Sequence, residues 1–375
     1  MIDTERVKQM FLDLVHINSP SKEERGVADY VKAKLSKLGL EVEEDDAGAG
    51  IDGNSGNVIA FLKGNVEGAT PIFLSCHMDT VEPTENLKVV EENGVIKTDG
   101  TTILGADDKS GIAAVIEGIA DVLERGVPHG DVQVLFSISE ETGLRGARAL
   151  VQKNIRAKMG YVFDTEKPVA GITVSAPTHD LISVEIHGVA SHAGIAPEKG
   201  VSAIIAASNA ISKMKIGRID AETTANIGYI EGGKARNIVP EYVRISAEAR
   251  SRNNEKLDEQ VKHMKDVFES EAEKIGARAE VKSVRQYLTY RFTENDPVIK
   301  LAMKASEKIG IEPVFLEGGG GSDANIYNAN GIPAVVVGAG YEGAHSSTEH
   351  IAVADLAKAA EFVTALIETA AVTKE

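Results

Sequence analysis

One cysteine in 375 residues excludes an intramolecular disulfide. Cys76 ends the apolar run Pro71-Ile72-Phe73-Leu74-Ser75 and reads as a small buried hydrophobe, although its neighbour His77 makes it a conceivable metal ligand. Positive charge is also scarce. The 40 Lys and Arg face 57 Asp and Glu, a formal net charge of -17. That balance repels nucleic acid and anionic membrane surfaces, which need clustered cations. No stretch approaches the roughly 18 uninterrupted apolar residues of a membrane span. The first residues show no basic segment leading into an apolar run, so the expected location is cytoplasmic. A Gly-x-Ser-x-Gly elbow is missing too, which argues against a Ser–His–Asp hydrolase despite Ser191-His192. The glycines at 318–321 lack the Gly-x-x-x-x-Gly-Lys pattern, so they read as a close-approach loop rather than a phosphate cradle. There is no internal repeat and no low-complexity segment.

What is present is ordinary globular composition, 43% hydrophobic and 26% charged, enough for one large core or two domains. Apolar spacing predicts a helix at 4–15. Ser19-Pro20 breaks it, and a second helix runs to residue 38, opened by a Ser21/Glu24 capping box and closed at Gly39. Residues 57–62, 72–76, 132–138 and 161–163 read as strands. Residues 109–123 form an amphipathic helix with Ile112, Val115, Ile116 and Ile119 on one side. The run 41–56, rich in Asp, Glu, Gly and Asn, reads as a solvated loop. Strands alternating with helices imply a mostly parallel sheet with covered faces.

From residue 178 the rhythm changes. A strand at 181–187, a helix at 201–214, strands at 224–230 and 243–249, a helix at 256–275 and a strand at 280–284 give the order β-α-β-β-α-β, a ferredoxin-like α+β unit. After residue 290 the α/β rhythm returns, with a helix at 297–309, strands at 313–316 and 334–337, and a closing helix at 353–371. The expected architecture is a discontinuous α/β domain (1–177 and 291–375) interrupted by a ferredoxin-like insertion (178–290).

Five islands carry residues that a two-metal hydrolase needs: His77-Met78-Asp79, Asp107-Asp108, Glu140-Glu141, Asp164 and His345. Each ends a strand-like stretch or lies in the loop beyond one, where open α/β sheets build their sites. Zinc and similar ions take His nitrogen and Asp or Glu oxygen. A metal-bound imidazole usually donates its other N–H to a carboxylate, so Asp79 could orient His77; taken alone, His-x-Asp is equally a turn with a polar edge. One Asp of the 107–108 pair reads as a helix cap, but two adjacent carboxylates repel, and a dication would neutralise them. In extended chain Glu140 and Glu141 point oppositely, one toward a metal and the other toward a water; spacing does not say which. Asp164 is a terminal ligand or a turn former. Either His345 or His350 could be the last ligand.

These motifs, together with Gly105-Ala106-Asp107-Asp108-Lys109, Ser191-His192-Ala193-Gly194, Asn237-Ile238-Val239-Pro240 and Gly320-Gly321-Ser322-Asp323, resemble the di-zinc peptidase family of aminoacylase, carboxypeptidase G and peptidase T. Thr98-Asp99-Gly100 and Leu104 to Lys109 bring the likeness closest to the peptidase T branch. The resemblance spans nearly the whole chain, with the motifs in the family's order.

The resemblance implies two zinc ions, with cobalt or manganese as possible substitutes, held by His77, Asp107 as the bridge, Glu141, Asp164 and His345. It implies Glu140 as general base, Asp79 as the partner of His77, and a cis Asp107–Asp108 peptide. His192 would stabilise the oxyanion, often from a partner subunit, and Arg236 and Asn237 would contact the substrate's polar ends. The implied activity is hydrolysis of the N-terminal amide bond of short peptides by a homodimer joined through the insertion, which also serves as a lid. Three alternatives stand beside it. An N-acyl-amino-acid deacylase would use the same site. A phosphoesterase would want more cationic groups than these islands show. A non-catalytic binding protein on the same fold would not need the full ligand set and Glu140.

Overall fold

The computed structural model describes residues 1–150 and 155–373. The chain divides into two compact units, one of Met1–Val174, Arg291–Glu317 and Ser322–Glu375, the other of Ser175–Tyr290 and Gly318–Gly321.

Among the described residues the large sheet has nine strands. Eight follow the order Glu41–Glu44, Val58–Leu62, Val132–Ser137, Ile72–His77, Met159–Thr165, Ala334–Gly338, Ile172–Ala176 and Tyr290–Arg291, and Phe315–Glu317 pairs with Ile172–Ala176. The four strands from Val132–Ser137 to Ala334–Gly338 run parallel. Outside them the pairing turns antiparallel, at Val58–Leu62 on one side and Ile172–Ala176 on the other. The sheet is therefore mixed, with a parallel centre. Every residue of Ile72–His77, Val132–Ser137 and Ala334–Gly338 is buried, as strands covered on both faces require.

The helices Thr4–Val15, Ala106–Arg125, Pro297–Lys308 and Val353–Val372 pack against one another. Val7, Met10, Phe11 and Leu14 form the buried stripe of the first; each such side chain contributes roughly 1.5–3 kcal/mol through burial. Gly118 lets two helices touch: a Cβ there would lie 2.4 Å from Val363 Cγ1. Gly39, at φ +87°, ends the helix Arg25–Lys37 as expected.

Two expectations near the N-terminus are corrected. The acidic run includes the strand Glu41–Glu44, paired antiparallel with Val58–Leu62. Glu41 and Glu43 face solvent while Val42 and Glu44 are half-buried, so an edge strand carries the composition of a loop. Ser21 and Glu24 do not form a capping box either. Glu24 is the N-cap residue of Arg25–Lys37 but makes no side-chain cap bond, because both side chains are engaged elsewhere. A four-stranded antiparallel sheet was also not anticipated: Tyr341–Glu342, His350–Ala352, Val95–Thr98 and Val89–Glu92.

The smaller unit is an antiparallel sheet ordered Gly217–Arg218, Thr223–Gly232, Tyr242–Ser251, Thr178–His187 and Arg278–Tyr287. Buried and exposed residues alternate along Thr178–His187 and Tyr242–Ser251. One sheet face packs Ile182, Val184, Val243 and Ile245 with Leu257, Met264 and Phe268 of the helix Asn254–Glu273, and the other is open. With the helix Ala203–Lys213, the main elements follow β-α-β-β-α-β as the sequence predicts. Among the described residues no helix is long and apolar enough to cross a membrane.

Candidate metal centre

Parallel strands point their carboxyl ends the same way, and the ligand candidates sit there. His77 is the last residue of Ile72–His77, and Asp164 lies near the end of Met159–Thr165. Glu140 and Glu141 follow Val132–Ser137 closely. Asp107 and Asp108 open the helix Ala106–Arg125 with non-helical backbone, so regular helix begins at Lys109. The peptide between them is cis. His345 occupies a left-handed turn, φ +60°, between the short strands Tyr341–Glu342 and His350–Ala352.

Asp107 lies between two imidazoles. Its Oδ1 is 3.2 Å from His77 Nε2, and its Oδ2 is 3.3 Å from His345 Nε2. Glu141 Oε1 is 2.9 Å from the same His345 nitrogen, and Asp164 Oδ1 is 3.7 Å from His77 Nε2. His77, Asp107 and Glu141 each offer a ligand atom within 4.8 Å of the others. His350 turns away, with Nδ1 2.9 Å from the Thr348 carbonyl.

The protonation pattern suits a cation. His77 Nδ1 lies 2.8 Å from the Asp79 carbonyl oxygen, which only accepts. Nδ1 therefore donates, and in the neutral ring Nε2 presents a lone pair toward Asp107. A lone pair and a carboxylate oxygen at that distance repel unless a proton or a metal ion lies between them. The carboxyl groups report the same shortage of positive charge. Burial, and then Asp164, push Glu140 well above the usual carboxylate range, and burial pushes Asp164 up to about 7. Asp107 is held low despite its burial, by His345 and His77. Hydrogen bonds to Asp107 and Glu141 raise His345 to about 10. A donor set of nitrogen and carboxylate oxygen that is short of positive charge fits divalent ions.

Other residues hold this arrangement. The Asp79 carboxylate sits 3.5 Å from His77 Nδ1, farther than its own main-chain oxygen. It accepts instead from Glu140 N (2.9 Å), Glu141 N (3.2 Å) and Ser21 Oγ (2.6 Å). Asp79 thus grips both acidic residues by their backbone. Glu349, fully buried, accepts from Leu104 N and Gly105 N (both 2.7 Å) and from Asp107 N (2.9 Å). It ties the His345 loop to the Asp107 turn. Asp323, also buried, accepts from Ser137 Oγ. Sequence reading assigned no role to Glu349 or Asp323. Glu349 stands in a polar run, and only its threefold backbone grip, a tertiary feature, sets it apart. Gly111 leaves room beneath the pair, since a Cβ there would lie 2.3 Å from Asp108 Oδ1 and 2.7 Å from the Phe163 carbonyl oxygen.

His192, Arg236 and Asn237 belong to the smaller unit and are exposed. Their loops meet: Ala193 N donates to Asn237 O (3.0 Å), and His192 bridges to Ile238. Gly194 N donates to His192 Nδ1 (3.2 Å), so in the neutral ring Nε2 carries the proton and is free to donate it. A second cluster in this unit, Glu185, His187 and Glu280, is less suited to an ion because Arg278 already pairs with Glu280 at 2.6 Å.

Residues 73–369 match the model of peptidase family M20/M25/M40. The chain is 46% identical over 371 residues to the protein YqjE of Bacillus subtilis, covering 99% of this chain and 100% of that one. The crystal structure of aminopeptidase PepT from Bacillus cereus superposes with a TM-score of 0.91 at 45% identity, covering 99% of each chain. A tripeptidase from Staphylococcus aureus superposes at 0.95 with 40% identity, covering 100% of each.

Proposed function

We propose that this chain, a member of peptidase family M20/M25/M40, is a two-metal aminopeptidase that removes the N-terminal residue from short peptides. The observation that carries the reading is Asp107, with one oxygen toward His77 and the other toward His345. The similarity to an aminopeptidase and a tripeptidase over the full chain supports the substrate class.

Zinc, with cobalt or manganese as substitutes, would be held by His77, Asp107, Glu141, Asp164 and His345, and would supply Lewis acidity and a water of lowered pKa. Glu140 takes the proton of the attacking water and returns it to the leaving amine. Such transfer contributes on the order of 10²–10⁴ in rate. His192 Nε2–H donates to the developing oxyanion, and Arg236 and Asn237 bind the polar ends of the substrate. The smaller unit serves as lid and as dimer interface. Its exposed Ile204, Ile205, Tyr229 and Ile230 support self-association.

The test pairs Glu140→Gln with Glu141→Ala. The first keeps both metals and loses at least about 10²-fold in kcat; the second loses metal. A Glu140→Gln enzyme of near wild-type turnover would sink the assignment. Release of the first residue from an unblocked tripeptide, with no release of acid from an N-acyl-amino acid, separates peptidase from deacylase.

A further inference from the structure

The segment Ser21 to Glu24, whose spacing reads as a helix cap, serves the acidic pair instead. Glu24 is 0% exposed. Its Oε1 accepts three hydrogen bonds, from Lys22 N (2.8 Å), Ser139 N (2.9 Å) and Ser139 Oγ (2.9 Å). Ser139 immediately precedes Glu140 and sits in the left-handed region, φ +50°, where a residue other than glycine needs outside support. The next two N–H groups, of Glu140 and Glu141, go to Asp79, which Ser21 Oγ also holds. Three successive amides are thus taken by two buried carboxylates. Asp79 comes from the loop after a central strand, and Glu24 from the N-terminal segment. The second Glu24 oxygen is buried without a hydrogen-bond partner, a cost that a helix cap alone would not require.

We propose that Glu24 is a positioning residue for Glu140: by holding both polar groups of Ser139 it fixes the left-handed turn that aims the Glu140 carboxylate. The inference rests on the reading of Glu140 as general base. It asks nothing of Glu24 toward substrate or metal.

Glu24→Ala should lower kcat by roughly 10–100-fold, the scale of a small misplacement of a catalytic group, with KM and metal content per chain unchanged. Glu24→Gln keeps a carbonyl oxygen able to accept the same three bonds and should restore most of the turnover. Ser139→Ala, which removes only the hydroxyl bond, should fall between wild type and Glu24→Ala, and it serves if the latter does not fold. Hydrogen–deuterium exchange of the 139–141 amides, read on the metal-loaded and the chelator-treated protein, should quicken in Glu24→Ala. That readout stands even if no peptide is cleaved, so failure of the peptidase reading and failure of this one are distinguishable. Wild-type kcat in Glu24→Ala would overturn the proposal. So would unchanged exchange at 139–141, or a kcat loss that merely tracks lost metal.

Discussion

Glu349 makes the sharpest single-residue prediction outside the acidic pair. Its two oxygens satisfy three main-chain N–H groups at 2.7–2.9 Å, each costing roughly 1–3 kcal/mol if left buried and unpaired. Glu349→Ala should therefore lower unfolding free energy by several kcal/mol in a denaturant titration and weaken metal retention on dialysis. Glu349→Gln should be milder in both. His345 sets a second expectation. In the ion-free protein Asp107 and Glu141 keep it protonated up to about 10. Its folded pKa lies above the unfolded value of about 6.5, so the stability from these pairs is full below about 6.5 and is lost as pH rises through about 10. Metal capture needs a bare Nε2, so uptake near pH 8 should expel a proton, and affinity should strengthen as pH rises toward 10. Calorimetric titration with zinc in buffers of different ionisation enthalpy reads this directly; heats independent of buffer would contradict it.

Among the elements, the helix Ala106–Arg125 carries a tight constraint beside the candidate site. Gly111→Ala would press a methyl against Asp108 Oδ1 and the Phe163 carbonyl oxygen. Overpacking of this kind typically costs about 1–3 kcal/mol. Thermal melts should show the loss, and metal content should fall with it because the carboxylate pair sits on that turn. The elements also show where sequence was readable. Ile72–His77 and Val132–Ser137 announce themselves by continuous apolar residues, and Gly39 marks a helix end. Ser21 and Glu24 mislead because a Ser-x-x-Glu spacing looks the same whether the side chains turn to their own helix or to Asp79 and Ser139. Glu41–Glu44 misleads because one face of an edge strand is solvated. At the candidate site the residue types and their strand-end placement were legible. The division of roles within Glu140-Glu141, and between His345 and His350, came from family resemblance. Position in space favours His345, since His350 faces Thr348 rather than the cluster.

For the whole molecule, the proposed self-association predicts a concentration-dependent dimer in sedimentation velocity. Ile205→Glu combined with Ile230→Glu, at residues 55% and 51% exposed, should shift it to monomer while metal content stays unchanged. A dimer unaffected by both changes would place the contact elsewhere. The strand order has a separate consequence. Ala334–Gly338 lies between Met159–Thr165 and Ile172–Ala176, so a central strand of the sheet is among the last to be synthesised. His345 comes later still. A ribosome must pass residue 345 before the sheet can close and the proposed ligands can converge. A nascent chain that stops short of these residues therefore lacks a central strand and one of the proposed ligands, so the proposed peptidase activity would arise only after both have emerged.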